Sequence, residues 1–247
     1  MEGDSPSSPS RLWSIVREAQ PRSVALQWSP MSQAPVQFFP ALSALPGIRH
    51  GFTLRVPGLD VRTDRQRALA RLENYHSEAR AEFGPRRFYT AEQIHGGRVA
   101  VVGRDSAPEA QGVDGLITQD PGGLLGISVA DCCAIFLVDT QRPAIGLVHS
   151  GRKGTELNIA GAAICQMSEQ FGTDPADLVV QLSPCIRPPY YDVDFAAEIQ
   201  RQLRAAGVKQ IFDTGENTGA DLDRFYSYRV EKGRTGRMLA LLTLATA

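Results

Sequence analysis

Residues 124–148 read LLGISVADCCAIFLVDTQRPAIGLV and contain three apolar runs, at 124–129, 134–138 and 145–148. Runs of this length that are rich in valine and isoleucine and bounded by turn residues indicate buried β-strands. The segments between the runs are too short to hold crossover helices, so the strands cannot all be parallel. This stretch therefore predicts a mixed β-sheet rather than a doubly wound parallel one.

Helical spacing and turn residues place the remaining elements around these strands. Apolar residues recur with a helical period over 64–83, which Gly84 and Pro85 end, and over 195–206, which Gly207 ends. A further helix is predicted after Gly154, with Gly172 as its cap. Additional strands are predicted at 38–39, 50–54, 99–102, 115–117, 178–182, 210–212 and 238–244, together with a short helix at 12–19 and a strand at 24–28. The expected fold class is α/β, in the broad sense that includes α+β.

Three short segments beside predicted strands carry side chains of the types that can bind metals. They are QIHG at 93–96, ADCC at 130–133 and HSGRKG at 149–154. Side chains at the ends of neighbouring strands can converge on one cleft, so His95, Cys132 and His149 are candidate partners. Two imidazoles and one thiolate suit zinc, and three protein ligands leave the fourth tetrahedral position open. The pattern indicates a catalytic zinc site rather than a structural one.

Length, charge and cysteine content narrow the class of protein. A chain of 247 residues can bury a large core, and we expect one catalytic domain over 21–247 behind a loose tail or short helix at 1–20. The formal net charge of −1 gives no reason to expect a nucleic-acid partner. The sequence shows no apolar run of spanning length and no signal peptide, and its four cysteines fit a reducing compartment. We therefore expect a cytoplasmic protein without a membrane partner.

The ordered motifs resemble those of the YfiH family, whose members were long labelled laccase-domain or multicopper polyphenol oxidase proteins. The resemblance runs from about residue 50 to the end and includes HGFTLR at 50–55, VDGLIT at 113–118, SPCI at 183–186 and FYSYR at 225–229. It implies a single domain with α/β/α layering around the mixed sheet. It also implies a zinc-dependent purine nucleoside phosphorylase with adenosine deaminase and methylthioadenosine phosphorylase activity. Such an enzyme acts on a purine nucleoside and phosphate, as a monomer or a homodimer.

The resemblance also implies roles for particular residues. His95, Cys132 and His149 are the expected catalytic residues and metal ligands. The expected substrate-binding residues are Arg55, Gln93, Asp131, Lys153 and Arg229, and Arg237 is a further cation placed by a motif. The carboxylate of Asp131 fits two roles equally well, because it can cap a turn or it can orient a histidine and handle a proton.

One turn departs from the family pattern. The family usually has tryptophan and arginine where this chain has Arg152 and Lys153. Lysine keeps the positive charge but loses the planar fork with which arginine holds an oxyanion through two bonds. Lys153 also precedes a predicted helix, whose free N–H groups favour an anion. We therefore expect phosphate near Lys153.

The other histidines and cysteines are expected to have structural roles. Cys133 should lie in the core, because adjacent residues of a strand face opposite sides. Cys165 is also expected in the core, His50 in a structural or supporting role, and His76 on the surface of a helix. Four histidines cannot supply the imidazoles that several copper ions require, which argues against a multicopper oxidase.

Two other functions remain open at this point. In the first, Cys132 is the nucleophile of a cysteine hydrolase that cleaves an amide or a cell-wall precursor. His149 is then its base, and Asp131 or a backbone carbonyl orients the imidazole. His95 distinguishes the two enzymes, because a dyad does not need it and a three-ligand zinc site does. In the second, the chain is a non-catalytic family member, which the changed Arg152–Lys153 pair favours.

Overall fold

The computed structural model describes residues 35–84 and 86–245. The predicted tail at 1–20, the helix at 12–19 and the strand at 24–28 lie outside these residues. The strands are β1 (Val36–Gln37), β2 (Ile48–Thr53), β3 (Arg87–Ala91), β4 (Val99–Val101), β5 (Glu109–Ala110), β6 (Gly115–Thr118), β7 (Gly123–Val129), β8 (Cys133–Asp139), β9 (Ile145–Ser150), β10 (Leu178–Leu182), β11 (Gln210–Asp213) and β12 (Met238–Leu244). The α-helices are α1 (Pro40–Ser43), α2 (Arg65–Ala81), α3 (Arg152–Glu156), α4 (Ile159–Phe171) and α5 (Phe195–Ala205).

Within the described residues, the strands form two six-stranded sheets, in the orders β1-β2-β12-β7-β3-β5 and β11-β10-β8-β9-β6-β4. Strand β7 pairs antiparallel with β12 and parallel with β3, and β6 pairs antiparallel with β9 and parallel with β4. The predicted α/β class and the mixed strand directions are confirmed. The strands divide between two sheets, however, rather than forming one. A strand that is apolar on both faces can be covered by a helix or by a second sheet, and its sequence does not distinguish the two.

The alternating side chains of β8 show how the layers pack. Ala134, Phe136 and Val138 belong to the apolar core between the two sheets, which β7 and β12 share. Ile135 and Leu137 belong to a second core, which α4 and α5 cover from the other side. This alternation follows from the two-residue period of a strand. Both faces of β8 are therefore held, which fixes the residues at its ends.

Helix α2 packs against the first sheet and contains a buried histidine. Its N-cap is Asp64, whose side chain accepts a hydrogen bond from the Arg67 backbone N–H. His76 was expected on the surface, but that prediction is wrong, because the side chain is buried on the same helix face as Leu72. The His76 Nε2 atom lies 3.2 Å from the carbonyl oxygen of Arg237, which ties α2 to the chain just before β12.

The helix predicted after Gly154 is interrupted. Asn158 separates α3 from α4 with a left-handed φ of 53°, which asparagine tolerates, and its side chain caps α4 by accepting from the Gly161 N–H. Gly172 ends α4 as predicted, with a φ of 69°. Cys165 was expected in the core but is exposed on α4, with Sγ 3.2 Å from Glu169 Oε1. None of the described helices is long and apolar enough to cross a membrane.

Candidate active site

A cavity of about 880 Å³ lies where β7 and β9 end and β8 begins. Its lining includes all of the predicted site residues except one: His95, Cys132, His149, Gln93, Asp131, Lys153 and Arg229. Arg55 does not line this cavity. Its guanidinium donates to Glu231 Oε2 at 2.6 Å and to the Phe225 carbonyl at 3.0 Å, so it serves the packing of the 225–231 segment.

The pairing of β8 with β9 brings Cys132 and His149 together. Ala134 lies opposite His149 in this antiparallel ladder, so Cys132, two residues earlier, meets the end of β9. His95 arrives from the loop between β3 and β4, and its ring centre lies 4.7 Å from that of His149. The candidate ligand atoms of the three residues all lie within 4.8 Å of one another. We refer to His95, Cys132 and His149 as the ligand set.

The two adjacent cysteines face opposite sides. Cys133 is fully buried in the core under α4 and α5. Cys132 is half-buried and lines the cavity. The alternation along β8 separates them, as the sequence predicted for Cys133.

Asp114, directly before β6, fixes two members of the ligand set and was missed as a site residue. Its Oδ1 lies 2.8 Å from Nδ1 of His149 and accepts from the His95 backbone N–H at 2.8 Å. Its Oδ2 accepts from the Gly96 N–H at 2.6 Å. A carboxylate that holds one ring nitrogen of a histidine orients the other toward a metal. The VDG motif at 113–115 is the sequence signal that could have identified it.

Unusual backbone conformations cluster around the ligand set. Gln93, His95 and Asp131 have left-handed φ values of 61°, 61° and 80°, although none of them is glycine. Such conformations cost of order 1–3 kcal/mol each and persist only where the surroundings impose them. At position 151 glycine is required for space, because a Cβ there would lie 2.5 Å from Cys132 Sγ. The loops thus accept strain and close contact to place these side chains.

The ligand set is electrostatically coupled. Burial raises the pKa of the Cys132 thiol, but the His149 and His95 imidazoles lower it more strongly, to about 6. Burial lowers the pKa of His149, but the Cys132 sulfur and the Asp114 carboxylate outweigh it and raise the pKa to about 9. In the metal-free protein near pH 7, the pair is therefore a thiolate and an imidazolium. A thiolate is the form of cysteine that binds metals and attacks carbon, and a metal would displace the imidazole proton.

Gln93 and Asp131 use their polar atoms to hold the cavity together. The Gln93 amide donates to the Ser128 carbonyl at 2.7 Å and accepts from the Ser128 N–H at 3.0 Å, which extends the contact of this loop with β7. Asp131 accepts from the Thr218 hydroxyl at 2.7 Å and from the Arg229 N–H at 2.6 Å. Of the roles predicted for Asp131, the capping of a turn agrees with these contacts, since the carboxylate that orients a histidine is Asp114.

Cations line the cavity from three parts of the chain: α2, α3 and the segment before β12. Arg152 and Lys153 lie on α3, and Arg152 is paired with Glu156 at 2.9 Å. The other group, which we call the cation set, comprises Arg65, Arg229, Lys232 and Arg237. None of the ion pairs among the described residues involves a member of the cation set. The cavity therefore carries, beside the ligand set, cations that form no described ion pair, although Asp64 and Asp131 also line it.

A family model described as multi-copper polyphenol oxidoreductase laccase matches residues 58–198 and 191–245. The chain belongs to this laccase-domain family. A purine nucleoside phosphorylase of Deinococcus radiodurans is 32% identical over an alignment of 235 residues. The match covers 80% of this chain and 89% of the relative. The purine nucleoside phosphorylase YlmD of Geobacillus stearothermophilus is 30% identical over 196 residues, which cover 63% of this chain and 72% of the relative.

Solved structures support the assignment to the laccase-domain family. The crystal structure of YlmD from Geobacillus stearothermophilus superposes with a TM-score of 0.74 at 26% identity, covering 91% of this chain and 100% of that one. The Neisseria meningitidis protein NMB0706 superposes with a TM-score of 0.73 at 18% identity, covering 87% of this chain and 100% of that one. The second similarity shows a shared fold. The resemblance to the YfiH family that the motifs indicated is thereby confirmed.

The multi-copper part of the family description does not fit the histidines of this laccase-domain protein. His50 accepts a hydrogen bond from the Phe39 N–H at 2.7 Å, and His76 contacts the Arg237 carbonyl, so neither lies in the ligand set. In the described part of the chain, the ligand set is the single group of three or more candidate metal ligands. A site with two imidazoles can hold one ion, but it cannot assemble the histidine-rich cluster that several coppers need.

Proposed function

We propose that this protein is a zinc-dependent purine nucleoside phosphorylase, with adenosine deaminase and methylthioadenosine phosphorylase activity in the same site. The ligand set carries this proposal, because it lies in a cavity that also offers cations without described ion pairs. The relatives named purine nucleoside phosphorylase support the reaction class.

The chemistry of the donors favours zinc. Two imidazoles and one thiolate, with a carboxylate behind one imidazole, form the donor set of a three-ligand zinc site with an open position. Zinc bound here would supply Lewis acidity next to the substrate. The chain's own contribution is to hold His149 by Asp114, to keep Cys132 as a thiolate and to place His95 through its strained loop.

The shape and lining of the cavity agree with a nucleoside and phosphate. A volume of about 880 Å³ lies within the range of small-molecule sites. Tyr191, Phe195 and Tyr228 offer aromatic surface for a purine, and the cations suit the oxygens of phosphate. In phosphorolysis, a phosphate oxygen forms a bond to C1′ of the ribose while the bond from C1′ to the base breaks. The base leaves with the bonding electron pair and takes up a proton at a ring nitrogen.

The first experiment combines metal analysis with a substrate panel. Protein purified without a histidine tag should contain about one zinc per chain, as a single open three-ligand site implies. It should release base from inosine and methylthioadenosine only when phosphate is present, and ammonia from adenosine without phosphate. Full zinc content in a folded His149→Ala variant, or base release that is independent of phosphate, would contradict the proposal.

One observation favours a second candidate, a cysteine hydrolase. Cys132, His149 and Asp114 form a nucleophile, base and orienting carboxylate, and the low pKa of Cys132 suits nucleophilic attack. His95 separates the two candidates. In a hydrolase, His95→Ala should leave most activity and the activity should survive a chelator. In the zinc enzyme, the same variant should lose zinc and turnover together.

A further inference from the structure

Arg237 is the most buried member of the cation set, and it forms no ion pair with any described residue, although the Cys132 sulfur and the Asp131 carboxylate lie near it. It lies directly before β12, lines the cavity and is half-buried, whereas Arg65, Arg229 and Lys232 are exposed. One guanidinium nitrogen, Nη1, donates to the carbonyl of Gly236 at 2.8 Å and more distantly to that of Thr235 at 3.3 Å. Among the described residues, no hydrogen bond uses its Nη2 or Nε, so the N–H groups on that edge of the guanidinium are available to a ligand.

A second arginine stands beside this one. Arg65 is the first residue of α2, lines the same cavity and, like Arg237, takes part in no described ion pair. The pKa of Arg237 is lowered, because burial and the nearby Arg65 guanidinium outweigh the opposite effect of Cys132, Tyr228 and Asp131. A half-buried guanidinium that is repelled by a second, exposed one is stabilised by an anion between them.

The backbone that carries Arg237 is held in place before any ligand arrives. The buried His76 of α2 contacts the Arg237 carbonyl oxygen at 3.2 Å. At Gly236, a Cβ would lie 2.8 Å from the ring of Tyr226, so the chain is packed closely against that ring. Helix α2 therefore supplies Arg65 and also positions Arg237. A site that is organised in advance loses less free energy when it orders a ligand.

The other cations of the cavity fit a phosphate less well. Arg152 is already paired with Glu156, and Lys153 is exposed on a helix of only five residues. A short helix offers little dipole, which weakens the sequence-based expectation that phosphate lies near Lys153. Arg55 is engaged by Glu231 away from the cavity.

We propose that Arg237 and Arg65 form the subsite that holds inorganic phosphate for attack on the nucleoside. This inference rests on the proposed phosphorylase function. The free edge of Arg237 binds two phosphate oxygens as a fork, and Arg65 neutralises the remaining charge. The ligand set lines the same cavity, so phosphate and nucleoside would meet beside it.

The test measures phosphate and nucleoside separately in the zinc-loaded enzyme. Arg237→Gln and Arg65→Gln should each raise the KM for phosphate roughly tenfold to a hundredfold, the effect of losing a charge-assisted contact. The KM for inosine and the zinc content should change little, and Arg237→Lys should fall between wild type and Arg237→Gln. Arg152→Gln is the matched control, since it removes a cavity arginine that is already paired, and should change the KM for phosphate less than about threefold.

Direct binding keeps this proposal separate from the proposed function. Calorimetric titration of the zinc-loaded protein with inorganic phosphate should show weaker binding in both glutamine variants, even if no nucleoside is cleaved. Absence of phosphorolysis in wild type would refute the proposed function alone. Arg65→Gln alters an exposed residue and should fold. Unchanged phosphate affinity in both glutamine variants would overturn the subsite.

Discussion

The ligand set and the cation set lie in one cavity but are built in different ways. His95, Cys132 and His149 come from loops and strand ends within one contiguous part of the chain, and the β8–β9 ladder and Asp114 hold them. The cation set joins the first residue of α2 to the segment before β12, which are far apart in the sequence. Backbone pairing and a buried carboxylate therefore fix the ligand set, whereas tertiary packing of α2 fixes the arginines of the proposed anion subsite. The two sets should accordingly respond to different substitutions.

The largest effect should come from substituting Cys132, with the adjacent Cys133 substituted as a comparison. Cys132→Ser replaces the thiolate ligand by a hydroxyl, so we expect zinc binding and turnover to be lost, with at least a hundredfold fall in kcat/KM. Cys133→Ala shortens a buried side chain in the core under α4, and should keep most zinc and activity while losing some stability. Metal analysis, kinetics and thermal melting of both variants check this. Equal loss of zinc in both folded proteins would show that β8 does not separate the two sulfurs.

The next largest effect should follow substitution of Asp114. In Asp114→Asn, one oxygen must serve both His149 and the His95 backbone, and the amide nitrogen cannot accept from Gly96. We expect zinc affinity to fall by roughly 10–100-fold, the usual cost of losing such a supporting carboxylate. Competition with a zinc chelator of known affinity measures it.

Asp131→Asn is the matched control for this experiment. It alters the neighbouring carboxylate, which contacts Thr218 and Arg229 but no histidine. We expect its zinc affinity to stay within about threefold of wild type, although the 218–229 segment loosens. A stronger loss of zinc in Asp131→Asn than in Asp114→Asn would reverse our assignment of the two carboxylates.

The contrast between the two sets also explains what the sequence could predict. Cys132 and His149 flank long apolar runs, so their strands and their convergence follow from local patterns. The VDG motif marks Asp114 as a candidate residue, but its hydrogen bonds to His95 and His149 are what show its role. Nothing local to Arg65 or Arg237 indicates that they meet, because their proximity depends on how α2 packs.

The limit of local sequence patterns also accounts for the errors in the predicted fold. Strands such as β8 are apolar on both faces, which predicts burial but not whether a helix or a sheet provides it. His76 looked like a surface residue because histidine is polar, whereas its position on the buried face of α2 decides its environment. The interruption at Asn158 depends on a single left-handed residue that helical spacing does not reveal.

Acid should weaken the packing of α2, and thereby the cation set. Burial lowers the pKa of His76 from 6.5 to about 4. The unfolded chain therefore takes up a proton below about pH 6.5 that the folded protein takes up only near pH 4, so stability is full above pH 6.5 and falls as the pH drops. Between pH 7 and pH 5 this one group should cost about 2 kcal/mol of unfolding free energy.

Comparison with a variant separates the titration of His76 from that of the ligand set. Urea unfolding of wild type and His76→Gln at pH 7 and pH 5, at equal zinc loading, gives the difference in pH dependence. We expect the variant to be less stable at pH 7 but to lose about 2 kcal/mol less on acidification. Identical pH dependence in the two proteins would mean that His76 is not kept neutral by the fold.

The smallest effect should come from Lys153, the residue that the sequence favoured for phosphate. Its side chain is exposed on α3, so water screens its charge, and an exposed charge contact is worth about 0.2–1 kcal/mol. Lys153→Ala should therefore raise the KM for phosphate only about two- to fivefold, well below the change expected for Arg237→Gln. Initial rates of inosine phosphorolysis over a phosphate series, at constant ionic strength, compare the two variants directly. A larger change in Lys153→Ala than in Arg237→Gln would place the anion at α3, and the altered turn of this chain would then carry the phosphate after all.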